Sequence, residues 1–182
     1  MPAFHIPGGG GGGGTWGEIT GTLSNQTDLQ NALNAKLGTS KFVSYKGVSN
    51  TFTFEGWTAV PFTTVVSDAD SVYNTSNGQL TVPASWNGRV AELYAYIWGD
   101  FESYSVGVAF NASVWKNGVF AGYIDATEVQ RTATQEPRCK GLWRDTVATG
   151  DVLTIRVYNG QGVRHLRSDD TQYNFFHVRV IG

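Results

Sequence analysis

Thirteen Lys and Arg against fifteen Asp and Glu leave the 182-residue chain at a formal charge of −2, without the basic footprint that nucleic-acid binding leaves. No apolar run approaches the ~18 residues of a membrane span, and the opening MPAFHIP has neither the basic nor the apolar region of a secretory signal. One cysteine, Cys139, excludes an intramolecular disulfide and fits assembly in a reducing cytoplasm, while 41% hydrophobic residues, rich in rings, suffice for one domain plus a tail.

Residues 1–14 end in an unbroken glycine run, Gly8 to Gly14. Glycine loses the most backbone entropy on ordering, so the run reads as a tether. It is not a phosphate loop, because no Gly-Lys-Ser/Thr follows and no strand precedes it. The segment is expected to be an anchor peptide, with Phe4, Ile6 and the two prolines, Pro2 and Pro7, as the apolar plug and Gly8 to Gly14 allowing close backbone approach to a socket on a larger particle. The alternative is a tail that nothing holds.

Residues 15–40 contain the one helix the pattern predicts, from about Asp28 to Leu37. Thr27 and Gln30 form a T-x-x-Q capping box. Asp28 and Lys36 suit the two ends of the helix dipole, and Gly38 is placed to stop it. Leu29, Ala32, Leu33 and Leu37 share one stripe. A helix this short needs a partner surface, since isolated helices below about 12–15 residues rarely hold. Copies of the same helix around an axis, in a short coiled-coil neck, are the favoured partner; docking on the chain's own domain is the other.

From Lys41 onward the period is two. GQLTVP, RVAELYAYIW, YSVGVAFNASVW, VLTIRVY and QYNFFHVRVI read as strands, punctuated by Asn77-Gly78, Asn87-Gly88, Asn117-Gly118 and Asn159-Gly160. These runs predict a mainly β, antiparallel fold over residues 41–182, a β-sandwich or a jelly roll. In Arg89–Trp98 one face carries Ala91, Leu93, Ala95 and Ile97; the other carries Glu92, Tyr94, Tyr96 and Trp98. The last strand repeats this, with Tyr173, Phe175, His177 and Ile181 opposite Phe176, Val178 and Val180. An outward face should be polar on a monomer, so Tyr94, Tyr96, Trp98, Phe175 and His177 are expected to form an interface between subunits.

Two resemblances attach to these residues. WGEITGTLSNQTDLQNALNAK resembles a segment of fibre proteins of tailed bacteriophages, where it often precedes a trimeric distal domain. That resemblance implies a virion fibre or spike. VYNTSNGQLTVPASWNGRVAELYAYI, ASVWKNGVFAG, DTVATGDVLTIRVYNG and NFFHVRVIG are similar, in that order, to the globular heads of complement and collagen-like proteins, jelly rolls related to tumour necrosis factor. This second resemblance spans most of Trp57 to Gly182. It implies a ten-stranded head forming a tight homotrimer, with the opening strand around Ala59 to Val66.

No catalytic constellation is legible. His5, His165 and His177 are far apart, and neither H-x-x-x-H nor C-x-x-C spacing occurs for zinc. Cys139, despite basic neighbours in EPRCKG, reads as a small strand or loop residue. Asp68 and Asp70 lack the further ligands of a calcium loop and read as solvated turn carboxylates. No metal or cofactor is therefore expected. Two loops are the candidates for ligand contact: Asp100, Phe101, Glu102 and Tyr104 in one, Arg164, Arg167, Asp169 and Asp170 in the other. Carboxylates beside rings suit the hydroxyls and faces of a cell-surface glycan; the alternative is ordinary polar loops or contacts between subunits.

The chain is accordingly expected to be a non-enzymatic phage virion protein, assembled in the host cytoplasm. An anchor would bind a tail or capsid socket, and a trimeric head would be displayed for attachment to a host-surface glycan, with no contact to nucleic acid and no membrane insertion. A capsid-anchored head fibre or decoration protein is the near rival, favoured by the missing shaft. A fibre-tip hydrolase needs paired carboxylates on a grooved scaffold, and a secreted cytokine-like ligand needs a signal peptide.

Overall fold

The computed structural model describes residues 42–100, 109–128, 137–160, 162–168 and 173–181. The chain divides into two units, Met1–Thr39 and Ser40–Gly182, and every described residue lies in the second. The expected anchor residues Phe4, Ile6, Gly8 and Gly14, and the neck residues Leu29, Ala32, Leu33 and Leu37, lie outside the described residues.

Alternating side chains give the strands their two faces. In chain order these are β1 (Phe42–Val48), β2 (Thr53–Phe54), β3 (Thr58–Ala59), β4 (Phe62–Asp68), β5 (Tyr73–Asn74), β6 (Gln79–Thr81), β7 (Arg89–Trp98), β8 (Ala109–Lys116), β9 (Val119–Glu128), β10 (Arg138–Val147), β11 (Val152–Asn159), β12 (Arg164–His165) and β13 (Phe175–Ile181). All pairings are antiparallel. A first sheet runs β10-β7-β13-β1-β4; a second runs β5-β6-β11-β8-β9, with β3 also on β11 and a small β12-β2 pair beside them. The ten strands on the two sheet paths are the jelly-roll framework.

The sheets face each other across an apolar core. The first contributes Val43, Tyr45, Ala91, Leu93, Ala95, Ile97, Phe176, Val178 and Val180; the second contributes Leu80, Phe110, Ala112, Val114, Leu153, Ile155 and Val157, all buried. Phe176 is the ring hub, with centroids of Phe62 at 4.8 Å, Tyr73 at 5.0 Å and Tyr45 at 5.8 Å. Tyr73 hydroxyl donates to Val60 O at 3.1 Å and accepts from Phe62 N–H at 2.9 Å, so the polar tip of a buried ring is satisfied.

Three expectations are corrected. The opening strand is β1, which pairs directly with β13; residues around Ala59 to Val66 instead form β3 and the edge strand β4. Of the four Asn-Gly pairs, Asn77-Gly78 and Asn117-Gly118 close hairpins between paired strands. The other two do different work. Asn87-Gly88 is a corner between sheets, following a 3-10 turn at Ala84–Trp86. Asn159 is a buried strand end whose Nδ2 donates to Phe54 O at 3.3 Å. Asp68, finally, is no solvated turn carboxylate. It accepts from Tyr45 hydroxyl at 2.8 Å, Val72 N–H at 3.0 Å and Tyr73 N–H at 3.1 Å, pinning the turn after β4. Burial, together with that carboxylate, pushes the Tyr45 phenol up to about 12.

Strand β10 went unread in the sequence because Gly141 and Asp145 interrupt the alternation of its buried Cys139, Trp143 and Val147. Cys139 is fully buried, its thiol donating to Phe110 O at 3.2 Å. Gly141 sits against β9, where an added Cβ would fall 2.2 Å from Ile124 O. That near-contact, with Trp143 Nε1–H donating to Ala121 O at 3.3 Å, brings β10 of the first sheet against β9 of the second.

Candidate functional site: the aromatic face of the first sheet

Register fixes what the outer face of the first sheet presents. Trp98 lies opposite Arg138; Tyr96 lies between Lys140 and Phe175; Tyr94 lies between Leu142 and His177; Glu92 lies between Arg144 and Arg179. Ser44 and Phe42 continue the last two rows across β1. The rings form one connected stripe. From Phe42, centroid distances run 5.8 Å to His177, 5.5 Å on to Tyr94, 6.1 Å to Phe175, 5.6 Å to Tyr96, 5.5 Å to Trp98 and 4.5 Å to Tyr173. All five residues assigned to this face from sequence are therefore brought together. Tyr173, which the alternation already places on the same side, lies with them, and the exposed Phe42 and Leu142 are added by the fold.

Both ends of the stripe are cationic. At one, the Arg138 guanidinium lies 3.8 Å from the Trp98 ring centre and Arg167 lies 4.2 Å from that of Tyr173. At the other, Glu92 is held between Arg144 and Arg179, with Arg179 Nε donating to its Oε2 at 2.9 Å. The Glu92 side chain is 6% exposed while its two partners are more than half exposed. Arg179 first, then Arg144, holds the Glu92 carboxyl below the usual carboxylate range. The triad carries one net positive charge. It borders a depression lined by Phe42, Tyr94, Leu142 and His177.

His177 lies flat against Tyr94, with Ser44 Oγ 3.4 Å from Nδ1. Burial lowers its pKa from the ordinary 6.5, so the neutral ring is the form the face accommodates. The unfolded chain protonates first as pH falls through about 6.5. The His177 contribution is whole above that pH and is lost as pH falls toward its depressed folded value. Glu92 has a lowered pKa and loses its contribution only at lower pH, as its carboxyl protonates. Melting followed from about pH 7 to about pH 5 should show a fall that His177→Phe removes.

The loop candidates fare differently. Arg164 lies in β12, its Nη1 donating to Val163 O at 2.8 Å, and Asp100 N–H donates to His165 O at 3.1 Å. These contacts bring the start of one loop beside the other. Arg167 is taken up by the Tyr173 and Trp98 rings. Phe101, Glu102, Tyr104, Asp169 and Asp170 lie outside the described residues. One residue with a part in this face escaped the sequence reading. Asn174 is fully buried; its Oδ1 accepts from Trp98 N–H at 2.9 Å, its Nδ2 donates to Arg167 O, and its carbonyl accepts from Gly47 N–H at 2.6 Å. It ties the ends of β7 and β13 together, and no sequence pattern distinguishes such an Asn from one on a surface. Among the described residues no group of three or more His, Cys, Asp or Glu gathers in metal-binding distance.

The architecture defines the class: an antiparallel jelly roll of two five-stranded sheet paths. Among solved structures, the globular domain of zebrafish complement 1qA superposes with a TM-score of 0.55 at 15% identity, covering 79% of this chain and 98% of that one. Murine APRIL superposes with a TM-score of 0.53 at 14% identity, covering 77% and 98%. No family model and no curated protein matches the sequence.

Proposed function

We propose that the chain is a non-enzymatic virion protein of a tailed phage whose jelly-roll head assembles as a homotrimer through the outer face of its first sheet and serves attachment to a host-surface glycan. The observation that carries the assembly is the connected ring stripe from Phe42 to Tyr173. A sandwich face turned to water is ordinarily polar, and this one offers rings with hydrogen-bonding tips, the side chains that interface centres favour. The fold shared with complement and APRIL heads supports a trimer as the closed form. The fibre-like neck sequence, Trp16 to Lys36, supports the virion assignment, and the glycine-rich start supports anchorage to a tail or capsid socket.

Sedimentation of the full chain tests the assembly. Tyr94 is on the outer face, so Tyr94→Lys leaves the core intact while placing a charge in the middle of each contact. It is expected to reduce the mass to that of one chain, with β-sheet circular dichroism retained. A variant that keeps the wild-type oligomer would remove this face from the interface. The virion assignment is tested separately, by immunogold labelling of purified particles.

A further inference from the structure

The second sheet presents its own rings on the side away from the core. Along β11, Leu153, Ile155 and Val157 point inward, which puts Arg156 and Tyr158 outward; on β8, Phe110, Ala112 and Val114 put Trp115 outward. The turn at Gly56, in the left-handed conformation (φ +60), delivers Trp57 among them. Trp57 has ring neighbours at 5.1 Å (Tyr158), 6.0 Å (Trp115), 6.2 Å (Tyr123) and 6.5 Å (Phe120). The rings are tilted against one another rather than stacked flush, and Phe120 and Tyr123 are 43% and 53% exposed. A cation sits in this cluster: the Arg156 guanidinium lies 4.2 Å from the Trp115 ring centre. No carboxylate of the described residues pairs with it, and its buried Nε has no acceptor.

We propose that Trp57, Trp115, Phe120, Tyr123, Tyr158 and Arg156 form a saccharide platform that takes an acidic sugar chain. The chemistry matches on both counts. The C–H faces of pyranose rings lie on exposed aromatic rings, and a uronate-type carboxylate is the anion that pairs with the guanidinium of Arg156 held over Trp115. The inference rests on the proposed assembly in one respect, since trimerisation through the first sheet leaves this second face pointing outward on every subunit.

The test uses the full chain and an oligogalacturonate as probe, with a neutral glucan oligomer of the same length beside it. Binding is measured calorimetrically and mass by light scattering. The oligogalacturonate should bind more tightly than the glucan. Tyr123→Ala and Arg156→Gln should each weaken it by about tenfold or more, with mass and melting unchanged. Tyr123→Ala carries no charge change, so its effect separates stacking from general attraction of a polyanion. Binding of neither oligomer, equal binding of both, or binding that survives both variants would overturn the proposal. A change of mass in Tyr123→Ala would also overturn it, marking the patch as a contact between copies. Because mass and binding are read independently, a monomeric wild-type chain that binds the sugar would sink the assembly reading and leave the platform standing.

Discussion

Phe176→Ala should lower the stability of the head by about 3–5 kcal/mol, the range for emptying a large ring from a packed core. Phe176 is 1% exposed and central to a cluster in which Phe62, Tyr73 and Tyr45 all lean on it. The loss is compounded by what those rings hold. Tyr73 anchors β4 through its hydroxyl, and Tyr45 reaches Asp68, which pins the following turn. A cavity at Phe176 therefore loosens the β1–β4 edge as well as the space between the sheets. Urea unfolding followed by tryptophan fluorescence measures it. Phe176→Leu, which retains most of the volume, should cost distinctly less. Equal costs for the two variants would show that ring contacts do not set the stability here.

Glu92→Gln should abolish assembly without unfolding the chain. Glu92 is the single carboxylate between two guanidinium groups on the proposed contact face. Neutralising it leaves Arg144 and Arg179 side by side, so each triad rises from one net positive charge to two. In a closed trimer that excess is repeated on each copy, in a setting drier than the free surface. Screening supplies the control: the Debye length falls from about 10 Å at 0.1 M salt to about 3 Å at 1 M, so high salt should restore part of the oligomer. Sedimentation at both salt concentrations reads this out. An oligomer indifferent to the substitution at low salt would place the triad outside the interface.

How much of this was legible depended on which residues carried the signal. The two faces of β7 were readable because apolar Ala91, Leu93, Ala95 and Ile97 alternate strictly with Glu92, Tyr94, Tyr96 and Trp98, and β13 repeats the pattern. The Asn117-Gly118 hairpin was readable because a two-residue turn needs positive φ at both positions, and they show +54 and +78. Strand β10 was not, because the alternate series Cys139, Gly141, Trp143, Asp145 and Val147 is broken by a glycine and a carboxylate, while the other side mixes Leu142 with Arg138, Lys140 and Arg144. Separation in sequence hid the platform on the second sheet. Trp57, Trp115, Phe120, Tyr123 and Tyr158 span about a hundred positions of sequence, and only the pairing of β3, β8, β9 and β11 gathers them. Asp68 and Asn174 show the converse. Each is a common polar residue in a turn-like context, and its meaning lies wholly in partners supplied by other strands.

The proposed assembly is held by the aromatic face of the head, whether or not copies of the neck helix also pair. The most direct measurement is the solution mass of the full chain by light scattering, compared with that of Leu29→Ser/Leu33→Ser. A trimer held by that face has a mass three times the 19.8 kDa of one chain in both. A double variant that falls apart to single chains would make the neck the organiser, and a wild-type chain that is itself monomeric would contradict the trimer altogether.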